Sequence, residues 1–232
     1  MKVGILGTGM VGRTLATAVA AAGNDVTVGT REPAASLART GEGEFGSWHA
    51  DHAAIAVDTF AAAAESAELV FNATAGAASL RALEQAGPEG FAGKILVDVA
   101  NPLDFSQGFP PSLTVANTDS LAEQIQRALP EARVVKTLNT VNAAVMVNPG
   151  AVGGGEHDLF ICGDDEAARA TVAGLLRGWF GWQSIIDLGD LSAARGMEAY
   201  LLLWVRMVGA LGSRTFNIRA VGVREAGRGD DR

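Results

Sequence analysis

Residues 1–31 read MKVGILGTGMVGRTLATAVAAAGNDVTVGTR. Lys2 to Leu6 is a short apolar run closed by glycine, the pattern of a buried strand. Gly7-Thr8-Gly9-Met10-Val11-Gly12 follows at once as a G-x-G-x-x-G that opens an apolar helix from Met10 to about Ala22. Gly23 stops that helix, and Asp25 to Val28 is a second strand. A strand, glycine turn, helix and strand within about 30 residues form the context that makes this motif a dinucleotide-binding fingerprint. Gly7 turns the chain sharply, Gly9 leaves room for a pyrophosphate, and Gly12 allows close packing of the helix. The helix N-terminus then offers free N–H groups and a positive dipole end to the phosphates.

The end of the second strand selects the dinucleotide. NAD-binding folds place Asp or Glu there to hold the ribose 2′-hydroxyl. Here the strand ends Val28-Gly29-Thr30-Arg31. The Arg31 guanidinium can fork onto a 2′-phosphate and Thr30 can donate to it. Glu32 is the dissenting residue, since a carboxylate could reach a ribose. The balance predicts NADP(H).

Beyond residue 31 the chain alternates strands and helices. A short helix is expected after Pro33, a loop over Gly41 to Gly46, strands at Ala53–Val57, Glu68–Ala73, Lys94–Val99 and Arg133–Leu138, and helices at Thr59–Ser66, Ala78–Gln85 and from the capping box Ser120-Leu121-Ala122-Glu123 to Leu129. This predicts an α/β, Rossmann-type doubly wound parallel sheet covered on both faces. After Asn148-Pro149-Gly150 the character changes. Gly153 to Gly155 reads as a flexible connection, His157–Cys162 and Gln183–Asp187 as strands, and Gly163-Asp164-Asp165 as the start of a helix ending near Gly181. Ser192 to about Leu211 is a long, mostly apolar helix that needs more than one partner. We therefore expect a NADP-binding unit over 1–150 and a small α/β appendage over 151–232, with a homodimer contact on that last helix. Glu225 to Arg232 reads as a disordered tail.

Composition narrows the function. The 232 residues are 48% hydrophobic with a net charge of −8, which excludes an obvious nucleic-acid or anionic-membrane surface. The single cysteine, Cys162, forms no internal disulfide, and the immediate entry into a strand leaves no room for a signal peptide, so a reducing cytoplasm is expected. The apolar stretch from Ala199 to Leu211 contains Arg206 and is too short to span a bilayer.

Ligands of open parallel sheets bind beyond the carboxyl ends of the strands. That rule selects Thr74-Ala75-Gly76, Asn101-Pro102-Leu103 and the stretch from Asn139 to Asn142. The first is small enough for a flat ring to lie on the backbone. The others carry amides and hydroxyls able to orient carbonyls or a carboxamide, although any one Asn alone is more often a turn or cap residue. His49-Ala50-Asp51-His52 lacks a third metal ligand and reads as a surface loop, so no metal is expected. No G-x-S-x-G elbow or Walker A is present, and no side chain stands out as a general acid or base. Hydride transfer between two cofactors needs alignment and exclusion of water more than proton transfer.

With these residues assembled, the chain resembles the NADPH-dependent coenzyme F420 reductases, the coenzyme F420:NADP oxidoreductase family. The matching segments are Ile5 to Gly12, Val28 to Arg31, Cys162-Gly163-Asp164-Asp165, Asp187-Leu188-Gly189 and Arg214-Thr215-Phe216-Asn217-Ile218. The resemblance implies a homodimeric NADP oxidoreductase. Thr8 and Val11 would lie near the phosphates, Thr30 and Arg31 at the 2′-phosphate, and the deazaflavin against the nicotinamide in a cleft walled by the appendage. The loop from Asn101 to Pro111 is longer than the family pattern. The family name also covers the cytosolic reductase domains of membrane ferric reductases. The glycine turn further resembles pyrroline, imine and hydroxyacid reductases, which carry longer helical C-terminal regions and often a catalytic Lys. A non-catalytic NADPH sensor is the remaining alternative.

Overall fold

The computed structural model describes residues 1–222, so the tail expected to be disordered lies outside the described residues. In chain order the elements are β1 (Lys2–Leu6), α1 (Met10–Ala21), β2 (Asp25–Thr30), α2 (Pro33–Ala38), α3 (Phe45–Ala50), β3 (Ala56–Thr59), α4 (Phe60–Ser66), β4 (Leu69–Asn72), α5 (Gly76–Ala86) and β5 (Ile95–Asp98). They continue with a small hairpin, β6 (Leu103–Asp104) and β7 (Ser112–Leu113), then α6 (Leu121–Ala128), β8 (Arg133–Thr137), α7 (Ala143–Val147), β9 (Asp158–Cys162), α8 (Glu166–Phe180), β10 (Ser184–Asp187) and α9 (Ala194–Leu211).

The main sheet has the order β10-β9-β8-β5-β4-β1-β2-β3. All its pairings are parallel except β8 with β9, so the expected doubly wound parallel sheet is present with one antiparallel seam. Between β8 and β9 run the five-residue α7 and 3₁₀ turns at Pro149–Ala151 and Gly153–Gly155. The chain reverses beside β8, and the glycines expected as a loose connection form a tight turn in which Gly155 is buried.

Successive strand residues feed two cores. Val3, Ile5, Phe71, Val97, Val135 and Ile161 face one layer with α1, α7 and α8, while Leu6, Val70, Leu96, Val134 and Cys162 face the other with α4, α5 and α6. Both layers include residues from after position 150, such as Leu176 and Trp182 on one side and Leu191 and Met197 on the other. Burial on both faces explains why the strands read as continuous apolar runs.

Helix α3 occupies the region expected to be a loop. It buries Phe45, and Trp48 packs beside it with ring centroids 5.2 Å apart. The presumed surface histidines are held within this unit: His49 Nε2 meets Ile55 O at 2.9 Å, and His52 Nδ1 meets Trp48 O at 2.7 Å. Six residues carry too little periodicity to be read as a helix. Helix α9 buries Met197, Glu198, Leu201 and Val205 and exposes Leu202 and Leu203. Among the described residues no helix is long and apolar enough to cross a membrane.

Candidate functional site

The glycine turn has the expected geometry. Gly7 has a φ of 121° and donates its N–H to Gly29 O at 2.9 Å. A Cβ on Gly7 would lie 2.6 Å from Ala73 O, and one on Gly12 would lie 2.1 Å from Gly7 O. Both positions must stay bare because backbone already fills the space. A Cβ on Gly9 would meet nothing within 4 Å. Gly9 is also the N-cap of α1 and makes no side-chain cap bond. Open space over Gly9 and an uncapped helix start fit a pyrophosphate.

A cavity of about 490 Å³ runs from this turn along the end of β2, lined by Thr8, Thr30, Arg31, Glu32, Ser36 and Arg39 among others. Thr30 is buried, and its hydroxyl pairs with Ser36 Oγ at 2.8 Å. Arg31 is exposed at the mouth. Arg39 is the residue that sequence reading missed. Its Nη2 donates to Thr8 Oγ1 at 3.1 Å although 31 positions separate them. It lies just past the end of α2, and no local pattern marks it.

A second cavity of about 550 Å³ adjoins the first, and both are lined by Ala73, Thr74 and Ala75. Val11, Gly76, Asn101 and Asn139 also line it, so it gathers residues from all three strand-end clusters. A Cβ on Gly76 would lie 1.9 Å from Asn101 O, which is why α5 can start directly against that loop. Asn101 and Asn139 bond reciprocally: Asn101 Nδ2 donates to Asn139 O at 2.8 Å, and Asn139 Nδ2 donates to Asn101 Oδ1 at 2.9 Å. Asn139 Nδ2 also donates to Met197 O at 3.0 Å, tying α9 to the strand ends. Pro102 is buried and does not line the cavity. Asn142 lines it but also caps α7, accepting from Val145 N at 3.0 Å. Phe105, from the hairpin β6–β7, and Leu201 and Trp204, from α9, complete the wall. Met10 points elsewhere and is exposed.

Beneath this floor runs a buried polar chain. Thr74 Oγ1 donates to Asn72 Oδ1 at 2.6 Å, and Asn72 Nδ2 donates to Asp98 Oδ1 at 2.8 Å. Asp98 Oδ2 accepts from Lys136 Nζ at 2.7 Å, and Lys136 Nζ lies 2.8 Å from Glu198 Oε1. Glu198 in turn accepts from Leu121 N at 2.8 Å and Ala122 N at 3.2 Å, at the start of α6. Burial alone would lower the Lys136 pKa, but Asp98 and Glu198 hold it above its ordinary value. Burial raises the Glu198 pKa, with Lys136 opposing. Asp98 closes the otherwise apolar strand β5, ILVD, which is a signal that sequence reading could have used. Among the described residues no group of three or more His, Cys, Asp or Glu side chains could hold a metal ion.

Comparison with known proteins places this geometry. The model of the family described as NADP oxidoreductase, coenzyme F420-dependent, matches residues 2–102. A crystal structure from Arthrobacter sp. FB24, named as an F420-dependent NADP reductase, is 55% identical with a TM-score of 0.92, covering 95% of this chain and 99% of that one. The rat (Rattus norvegicus) metalloreductase STEAP3 is 35% identical over 202 residues, or 85% of this chain, and the chain spans 36% of that relative's length. An imine reductase from Streptomyces aurantiacus shares the fold at 20% identity and a TM-score of 0.59, covering 91% of this chain and 64% of that one. The family match over residues 2–102 and the end-to-end likeness to the Arthrobacter protein agree: this chain belongs to the coenzyme F420-dependent NADP oxidoreductases.

Proposed function

We propose that the protein transfers a hydride between NADP(H) and a deazaflavin of the coenzyme F420 type, or a related flavin-type acceptor. NADP(H) supplies or accepts the hydride when bound. The turn from Gly7 to Gly12 holds its pyrophosphate, with Thr8 and Val11 beside it, and Thr30 and Arg31 face the 2′-phosphate. Thr74, Ala75 and Gly76 form the nicotinamide floor, and Asn101, which precedes Pro102, and Asn139 orient the ring. Residues 1–150 serve as the nucleotide unit, and residues 151–232 supply the cleft wall and a homodimer contact. A cytoplasmic enzyme with a small-molecule second substrate, and no nucleic-acid or membrane partner, suits the acidic charge.

The observation that carries this reading is the second cavity, contiguous with the first and walled by apolar and aromatic side chains. Its titratable lining residue is Asp104. The Ser106 N–H and hydroxyl hold that carboxyl below its usual range, so it is ionised at neutral pH and offers no proton. A wall without a proton donor suits ring-to-ring hydride transfer better than reduction of an imine, whose nitrogen must be protonated. A ferric-reductase-like role is the second reading, favoured by the likeness to the rat metalloreductase.

The test is anaerobic turnover with NADPH and oxidised coenzyme F420, following loss of the deazaflavin absorbance, with FMN, FAD, ferric chelates and cyclic imines in parallel. Turnover of the deazaflavin supports the proposal. Reduction of flavin or iron without the deazaflavin favours the second reading, and imine reduction favours an imine reductase. NADPH binding with no acceptor reduced leaves a sensor.

A further inference from the structure

We infer that Arg39 is a second cationic arm of the 2′-phosphate site and, with Arg31, sets the preference for NADP(H) over NAD(H). The inference rests on the proposed nucleotide site and extends it to a residue outside the fingerprint. Arg31 and Arg39 line the same cavity from different segments, one at the end of β2 and the other just past α2. Arg39 reaches across to Thr8, within the glycine turn, so its guanidinium spans the gap between the turn and the strand end.

The arm is fixed at its base and loosely held at its tip. Arg39 O accepts from Gly46 N at 2.8 Å, and Arg13 Nη1 donates to Gly43 O at 2.7 Å, so the segment carrying Arg39 is braced from two sides. Arg39 Nε stands 3.5 Å from Glu44 Oε2, with both side chains about half exposed at 49%. Such a pair contributes little, because water screens it and two long side chains must be ordered. A phosphomonoester dianion offers three acceptor oxygens and about two charges, a stronger partner than a hydroxyl and a screened carboxylate. Charge balance points the same way. Glu32 lines the cavity with Arg31, so Arg31 alone would face a carboxylate as well as a dianion.

The test is equilibrium binding of NADPH, NADH, adenosine 2′,5′-bisphosphate and 5′-AMP to the unmodified protein and to Arg39→Ala, Arg39→Lys and Glu44→Gln. Arg39→Ala should weaken NADPH and the bisphosphate by tenfold or more, and leave NADH and 5′-AMP within about twofold. Arg39→Lys should recover part of the loss, since a point charge remains without the fork. Glu44→Gln should bind NADPH as tightly as the unmodified protein or more so. Equal losses for NADPH and NADH in Arg39→Ala would show that Arg39 only positions Thr8 and would overturn the inference. No loss for either, or a Glu44→Gln defect matching Arg39→Ala, would overturn it as well. Failure of the unmodified protein to prefer NADPH would instead reject the NADP assignment itself, and the inference with it.

Discussion

Arg31 and Thr30 read alike as candidates for a 2′-phosphate from their place at a strand end, yet the structure gives them different surroundings. Arg31 is exposed and free to turn toward a ligand, whereas the Thr30 hydroxyl already pairs with Ser36. Replacing Arg31 with Ala is expected to weaken NADPH binding by about tenfold or more and leave NADH nearly unchanged. Titration of both cofactors checks this, and equal losses would make Arg31 structural. Cys162 offers a second test at this scale. Burial pushes its thiol from 9.0 up to about 12. Between those values the unfolded chain releases a proton that the native chain keeps, so stability falls as pH rises through that window. The elevated Lys136 adds loss in the same direction, because its contribution is complete below 10.5 and disappears as pH passes its folded value. Melting curves from pH 8 to 11 should therefore decline, and Cys162→Ala should flatten the first part of that decline. Its thiol should react with a disulfide reagent only after denaturant is added.

At the scale of elements, the strands and long helices were legible because their apolar runs and glycine stops leave little choice. What escaped was set by partners distant in sequence. The reversal at β9 shows only in its antiparallel pairing with β8, and α3 is held where Trp48 Nε1 donates to Thr17 Oγ1 of α1 at 3.3 Å. The charges inside β5, β8 and α9 become intelligible only when Asp98, Lys136 and Glu198 meet. Asp98 and Glu198 share one cation, so removing Lys136 leaves two buried carboxylates uncompensated. Lys136→Met is thus expected to cost about 3–5 kcal/mol in denaturant unfolding. A change below about 1 kcal/mol would mean that water reaches the two carboxylates or that the site relaxes. Replacing Lys136 with Met and Glu198 with Leu together should cost less than the sum of the single changes, because only Asp98 is then left without its cation.

For the whole molecule, the Rossmann-type architecture was readable from thirty-one residues because the fingerprint joins two strands and a helix in one geometry. Assembly was only suggested, by an apolar helix with too much surface for one partner. The structure covers Leu201 and Val205 but leaves Leu202 and Leu203 exposed at 43% and 56%. We expect these two side chains to meet a second copy. Sedimentation at micromolar concentration should report twice the chain mass of 23.8 kDa, and Leu203→Glu should shift the population toward monomer. A monomer at all concentrations would leave that face without a role in assembly. The buried Lys136 also bears on how such a gene can be recombined. It lies in β8, yet one of its counter-ions, Glu198, is encoded some sixty codons downstream. A tail exchanged for that of a distant relative without this carboxylate leaves Lys136 to Asp98 alone and takes the acceptor from Leu121 and Ala122. The two ends of the chain are thereby linked in inheritance by one buried network, whatever freedom their separate surfaces allow.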